Sequence, residues 1–539
     1  MAQLTTIDWL VIGLYFAVTG VGAVWATWKE RQDGQETSAD YFLAGRNTGW
    51  FIVGASLFSS NIGSEHLVGL AGTGAASGVA VAQFEILAAF ILLLLGWLFA
   101  PFYLRSGVYT MPEFLERRYS PAARWYLAAI SIVGYVLTKI SVTIFAGGVV
   151  FTTLMGIDFW TGALVVVVAT GIYTLFGGLR AVLITDTIQM VVLIGGSVVV
   201  TLVGLNAVGG WGELTRAAGP EFMDMWKPAT DPSFPWTGIL LGAPILGIWY
   251  WCTDQFIVQR VLAARNLREA RRGTVFAGFL KILPLFIFVV PGIIAAVLAR
   301  QGKLQLGAPD QALPTLVGAL LPAGLRGVVV AGLLAALMSS LSSVFNSTST
   351  LITWDVYKKL RPDATERQLV MVGRLATGVL VVLGLLWIPL MEKISGQLYQ
   401  YIQSVQAYIA PPIAAVFLLG LFWARLNARG AMASLLVGFV AGMGRLVAEL
   451  NRDSLDGFLH TYATINFLHF AALLFVACAA VHVIVSLATP APPREQLAGL
   501  TFQTTPKAEV AEDAAGRREG VLLSALLVLT VFAIWWYFS

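Results

Sequence analysis

The chain has 539 residues, of which 58% are hydrophobic and only 12% charged, with a formal net charge of +4. A soluble domain carries roughly 25% charged residues, so this composition excludes an ordinary soluble protein, and a mean hydropathy of +0.78 fits a chain solvated by lipid. The basic residues are scattered between apolar runs and form no patch, which removes nucleic-acid binding as the reason for a pI of 9.0.

In chain order, apolar runs long enough to cross a bilayer, about twenty residues each, are predicted near 6–27, 50–74, 79–105, 121–154, 157–176, 182–205, 236–262, 272–300, 326–356, 367–390, 397–424, 428–448, 464–488 and 520–538. These are spans one to fourteen of an all-α polytopic membrane protein. The first run has no basic n-region before it and no evident small-residue cleavage site, and is read as a retained span. Lys and Arg crowd the connections after the odd-numbered spans, as Arg117, Arg118, Arg265, Arg268, Lys358 and Lys359 illustrate. The positive-inside rule then places both termini outside a cell inner (plasma) membrane.

The outward loop 206–235, rich in Pro, Trp and acids, is read as an ordered lid. The polar inward segment 490–519 is read as a flexible linker. Cys252 and Cys478 both lie in apolar segments and imply no disulfide framework.

Polar and ionisable groups at bilayer depth are costly, so their clusters mark a pathway. Span two contains Gly54-Ala-Ser-Leu-Phe-Ser-Ser-Asn61-Ile-Gly63-Ser-Glu65-His66, a run able to unwind in mid-membrane. Unwinding frees carbonyls for a cation and helix ends for a substrate; the bland alternative is a small-residue packing face. Span seven, with Gly247-Ile-Trp249-Tyr250-Trp251-Cys-Thr-Asp254-Gln255, is interrupted five spans later. That spacing is expected of two inverted five-helix repeats with a site between them.

Tyr250 and Trp251 suit either an interfacial belt or the apolar face of a pyranose. Glu85 in span three and Lys281 in span eight either pair structurally or bind sugar hydroxyls, with His66, Asn61 and Gln403 beside them. In span nine, Ala336, Ser339 or Ser340, Ser343 and Ser347 recur at helical spacing. Hydroxyl and carbonyl oxygens suit a hard ion, and with few formal charges a monovalent one; back-bonding of Ser to the preceding turn is the plain alternative. Asp186 follows Arg180 and is read by itself as a helix N-cap with a charge partner. It becomes a cation ligand if it faces Ser342 and Ser343.

No phosphate-binding Gly loop, zinc spacing or nucleophile elbow occurs, so an enzyme is not expected. His460, His469 and His482 lie singly near the last spans.

On Asp40-Tyr-Phe-Leu-Ala-Gly-Arg46, Gly54 to Gly63, Tyr109-Thr-Met-Pro-Glu-Phe114, Trp249 to Gln255, Ser339 to Ser347 and Tyr401-Ile-Gln403, the chain resembles the sodium/solute symporters, and within them the sodium/glucose cotransporters. The resemblance covers nearly the whole length. It implies a five-plus-five inverted-repeat (LeuT-like) core with this division: 1–49, first span and inward loop; 50–205, first repeat; 206–235, outward loop; 236–424, second repeat; 425–539, three accessory spans.

It also implies one sodium held by the carbonyls of Ser59, Ile62 and Ala336 and the hydroxyls of Ser339 and Ser340. The sugar falls to Asn61, His66, Glu85, Tyr250, Trp251, Lys281 and Gln403. Leu70, Phe84 and Tyr399 match an outer gate and Tyr250 an inner one. Asp186, Ser342 and Ser343 match a second sodium site, which favours two ions per sugar. Gly247 stands where several relatives place a polar residue, which bears on hexose preference. Glu65 follows the bacterial pattern, where the animal glucose carriers have glycine, and bears on pH dependence or ion coupling. The absence of the animal proteins' cysteine-rich outer loop fits a bacterial origin.

The expected function is sodium-driven uptake of glucose or galactose by alternating access, with no cofactor beyond the transported sodium. The partners are a monosaccharide, sodium and the lipid bilayer, with the oligomeric state open. The alternatives are symport of another polyol such as myo-inositol, another hexose or sialic acid, and, more remotely, a sugar-binding sensor or channel.

Overall fold

The computed structural model describes residues 4–32, 37–63, 65–391, 398–505 and 514–539. Among them, ten apolar helices are long enough to cross a membrane. Two of these, Glu65–Ser106 and Phe159–Val208, reverse direction within their length, at Gly78 (φ 76) and Gly178 (φ 52). Both reversals need glycine twice over. A left-handed backbone is costly for other residues, and a Cβ would meet the Phe222 carbonyl oxygen at 2.2 Å or that of Tyr41 at 2.4 Å.

With these divided, and with the broken rods at 50–77, 121–155 and 236–262 included, the described residues trace the fourteen expected spans. Spans two and seven are the discontinuous ones. Span two is helical over Trp50–Asn61, opens at Ile62 (ψ 95) and resumes as a π-helical turn, Glu65–Leu70, continued by Ala71–Ser77. Span seven runs to Thr253 through a π-helical turn, Ile248–Thr253, breaks at Asp254 (ψ 127) and restarts as Gln255–Leu262.

Span nine, Leu325–Leu351, is the axis of the bundle. From Val329 to Leu351 its side chains are buried, hydroxyls included. The periphery is the reverse: Leu10, Val21 and Val24 in span one, Val440 and Val447 in span twelve, and Leu522 and Trp536 in span fourteen point outward. Apolar residues thus face lipid and polar ones the interior, as a bilayer demands.

The loop 206–235 is ordered as expected. It carries helices Trp211–Ala218 and Pro220–Met223, buries Met225 and Phe234, and its Met225 N–H donates to the Phe538 carbonyl at 2.9 Å. The linker expectation for 490–519 needs correction. Residues 490–505 dock on the bundle through buried Leu497, Leu500 and Thr501, and the Phe502 N–H donates to the Leu421 carbonyl at 2.9 Å. Composition averaged over the segment hid these buried anchors; residues 506–513 lie outside the described residues.

Candidate functional site

The break in span two rearranges its hydrogen bonds. The Gly63 N–H donates to His66 Nδ1 at 3.4 Å, and the N–H groups of His66 and Leu67 both go to the Gly63 carbonyl. The carbonyls of Ser59 and Ile62 therefore lose the N–H groups that positions 63 and 66 would give them in a continuous helix. Among the described residues this leaves both as hard oxygen donors in the middle of the protein.

Span nine meets them there. Ser59 Oγ donates to Ser339 Oγ at 2.9 Å, and Ser340 Oγ to the Ser60 carbonyl at 3.4 Å. Ala336 lies one turn earlier and is fully buried. Asp186 closes the group: its carboxylate accepts from Ser339 at 2.6 Å, Ser56 at 2.5 Å and Ser60 at 3.1 Å. The N-cap expectation for Asp186 is thereby corrected. Because the chain reverses at Gly178, Asp186 sits two turns inside the second half of Phe159–Val208 and is fully buried. Its cationic neighbour is Arg260, linked through Ser60 Oγ at 3.1 Å.

Ser343 reaches Asp186 through the same hydroxyl, donating to Ser60 Oγ at 2.8 Å, whereas Ser342 donates to the Ser339 carbonyl at 3.0 Å. These oxygens suit a hard monovalent cation. Among the described residues no cluster of three or more His, Cys, Asp and Glu could hold a transition metal.

On the other side of span two lies a cavity lined by Asn61, Glu65, His66, Phe84, Glu85, Lys139, Gly247, Tyr250, Trp251, Lys281 and Gln403, with Ser340 at its border. The whole expected sugar set meets here. Lys281 Nζ donates to both Glu85 and Asn61. Asn61 Nδ2 donates to the Tyr250 hydroxyl at 3.0 Å, and His66 Nε2 is 3.4 Å from Glu85 Oε1. Glu85 and Lys281 are paired with each other, and both face the cavity. Tyr250 and Trp251 meet edge to face at 5.2 Å deep in the protein, not at an interface. One end of the cavity is thus a charged hydrogen-bonding cluster and another wall is aromatic.

Of the expected gate residues, Phe84 lines the cavity under Phe234 and Phe467, at ring distances of 6.0 and 6.3 Å. Leu70 is buried one turn past His66. The side chain of Tyr399 lies outside the described residues.

The motifs did not single out Lys139. Its ammonium lies 3.1 Å from Asp254 Oδ2 and over the rings of Tyr250 at 4.5 Å and Phe256 at 3.7 Å. Tyr135 donates to the other Asp254 oxygen. A lysine within the apolar run of span four was the available signal.

Residues 41–438 match the sodium:solute symporter family. The chain belongs to that family. The human sodium/myo-inositol cotransporter is 39% identical, over 96% of this chain and 78% of that protein. Sodium/glucose cotransporter 1 of Oryctolagus cuniculus is 39% identical over 89% of this chain and 79% of that protein, and sodium/glucose cotransporter 4 of Mus musculus 40% over 93% and 78%.

In fold, this symporter superposes on a sodium-coupled sialic acid symporter in a substrate-bound outward-open state, with a TM-score of 0.77 at 22% identity, covering 90% of this chain and 99% of that one. A nucleobase-cation-symport-1 family transporter in a closed conformation gives 0.56 at 16%, over 87% and 99%. The architecture is the five-plus-five inverted repeat, and the protein is a multi-pass, sodium-coupled transporter, not an enzyme.

Proposed function

We propose that this symporter couples inward sodium flow to uptake of a monosaccharide, glucose or galactose, by alternating access. The observation that carries the reading is the cavity joining the Lys281, Glu85, Asn61 and His66 cluster to the Tyr250 and Trp251 wall, one residue along span two from the oxygen cage. Sodium at Ser59, Ile62, Ala336, Ser339 and Ser340 holds the two halves of span two in the arrangement that presents Asn61 and His66. The sugar is taken by those residues with Glu85, Tyr250, Trp251, Lys281 and Gln403.

Asp186, Ser342 and Ser343 supply a second sodium site; its support is a buried carboxylate one hydroxyl away from Ser343. Leu70, Phe84 and Tyr399 close the outer side and Tyr250 the inner side. Both termini face outward. Binding of sodium and sugar biases a closed state that then opens inward, and each charge moved gains about 2.3 kcal/mol per 100 mV of inside-negative potential.

A neutral cyclic polyol such as myo-inositol is the second reading, favoured by the matching identity to the sodium/myo-inositol cotransporters. Uptake of labelled glucose, galactose and myo-inositol into proteoliposomes, with and without an inward sodium gradient, tests both. Glucose accumulation that needs sodium and is lost in Gln403→Ala supports the first. Accumulation of myo-inositol alone moves the substrate to the polyol, and indifference to sodium overturns the cation site.

A further inference from the structure

We infer that Glu65 gives the cavity a seat for a cationic sugar, a hexose carrying a protonated amino group. The inference rests on the sugar-symport reading above and concerns the charges around the cavity. Lys281 is occupied by Glu85 and Asn61. Lys139 is occupied by Asp254 at 3.1 Å and by the Phe256 ring. Asp186 and Arg260 belong to the ion region, joined through Ser60.

Glu65 is left over. It opens the second half of span two and lines the same cavity. Its Oε2 is buried and has no hydrogen-bond partner among the described residues. Its Oε1 stands 3.9 Å from His66 Nδ1, but that nitrogen does not answer the charge. The Gly63 N–H donates to it, which occupies its lone pair. The other ring nitrogen, Nε2, faces Glu85 Oε1 at 3.4 Å.

The lining itself pairs two carboxylates, Glu65 and Glu85, with two ammoniums, Lys139 and Lys281, but Asp254, behind the lining against Lys139, brings the carboxylates around the cavity to three. A buried carboxylate oxygen without a hydrogen-bond partner is unfavourable, and a ligand ammonium offsets it with a hydrogen bond about twice as strong as a neutral hydroxyl offers. An aminodeoxyhexose brings that group on the same ring and hydroxyl pattern as a hexose. Its N-acetyl derivative brings neither the charge nor the small size.

The test compares glucosamine, glucose and N-acetylglucosamine as competitors of sodium-driven labelled glucose uptake, with wild type and Glu65→Gln, below and above the pKa of the sugar amine. Thermal-shift binding to the purified full-length protein in sodium gives the same affinity ratios where the variant no longer transports. In wild type at the lower pH, glucosamine is expected to bind roughly tenfold more tightly than glucose. That advantage disappears at the higher pH and in Glu65→Gln, and N-acetylglucosamine never exceeds glucose. Glucosamine no better than glucose in wild type, or an advantage that survives Glu65→Gln, overturns the inference. Wild-type uptake of glucose without any amino-sugar preference defeats this inference alone, whereas absence of sodium-driven hexose uptake defeats the parent reading.

Discussion

Replacing Lys281 by Met keeps the length of the side chain and removes its charge. The ammonium is 1% exposed and donates to Glu85 and Asn61. With three N–H donors, it retains one for a bound hydroxyl, beside the Trp251 ring at 5.5 Å. A hydrogen bond to a charged group contributes about 1.5–3 kcal/mol, so losing it raises the sugar Kd roughly 10- to 150-fold. The same change leaves Glu85 buried with His66 at 3.4 Å, and removing one member of a buried ion pair costs about 3–5 kcal/mol of stability.

Adding Glu85→Gln removes the stranded charge. The double variant is expected to recover most of the stability while the sugar affinity stays low. Glucose binding by calorimetry in saturating sodium, with thermal unfolding in detergent of wild type, both single variants and the double, separates the two effects. Wild-type stability in Lys281→Met would refute the buried ion pair as a stabilising element, and wild-type affinity in the double variant would refute the placement of Lys281 on the sugar.

At the ion site, Ser339→Ala removes the hydroxyl shared by Ser59 and Asp186 and should raise the sodium half-saturation of uptake about tenfold, with sugar affinity falling only when sodium is limiting. A Cβ at Gly247 would meet Ile91 Cγ1 at 2.9 Å. Gly247→Thr should therefore lose sugar affinity through overpacking of about 1–3 kcal/mol and regain it with Ile91→Ala, read by the same calorimetry. Glu116, in the connecting helix Met111–Arg118, accepts from Lys359 and Arg124, each at 2.6 Å. Burial pushes its carboxyl up, but these cationic hydrogen bonds outweigh it and hold it below the usual range. A depressed folded-state pKa contributes stability above the ordinary carboxylate value, near about 4.3, and that contribution is lost as pH falls through the folded value. Glu116→Gln should lower the melting temperature at neutral pH and flatten its fall on acidification, measured by a thermal shift against pH.

Much of the site was legible because polar residues inside an apolar run have few reasons to be there. Asn61, His66, Glu85, Lys281 and Gln403 stood out individually, and the structure brings all five to one cavity. The breaks in spans two and seven were legible as Gly-rich or Asp-marked interruptions. What could not be read was any property fixed by a distant partner. Lys139 looks anomalous until Asp254, 115 positions later, supplies its counter-charge. Asp186 changes from cap to buried acceptor of serine hydroxyls according to where the chain turns, and only the backbone at Gly178 decides that. The docking of 490–505 depends on three side chains, Leu497, Leu500 and Thr501, whose anchoring value averages away in composition.

Three consecutive residues join the hydroxyl cluster of span nine to the cavity, and under the proposed function they would couple ion to sugar. Ser59 touches Ser339, Ser60 touches Asp186, Ser340 and Ser343, and Asn61 touches Tyr250 and Lys281. Successive residues of a helix point about 100° apart, so this one turn addresses the ion region and the cavity at once, and it lies immediately before the break. No relay of intermediate side chains is needed. A cation that fixes the carbonyls of Ser59 and Ile62 fixes the direction of Asn61, and a sugar that holds Asn61 fixes those carbonyls. Coupling of this kind is reciprocal, so any substitution at Ser59, Ser339 or Asp186 that weakens sodium's hold on sugar must weaken sugar's hold on sodium by the same factor.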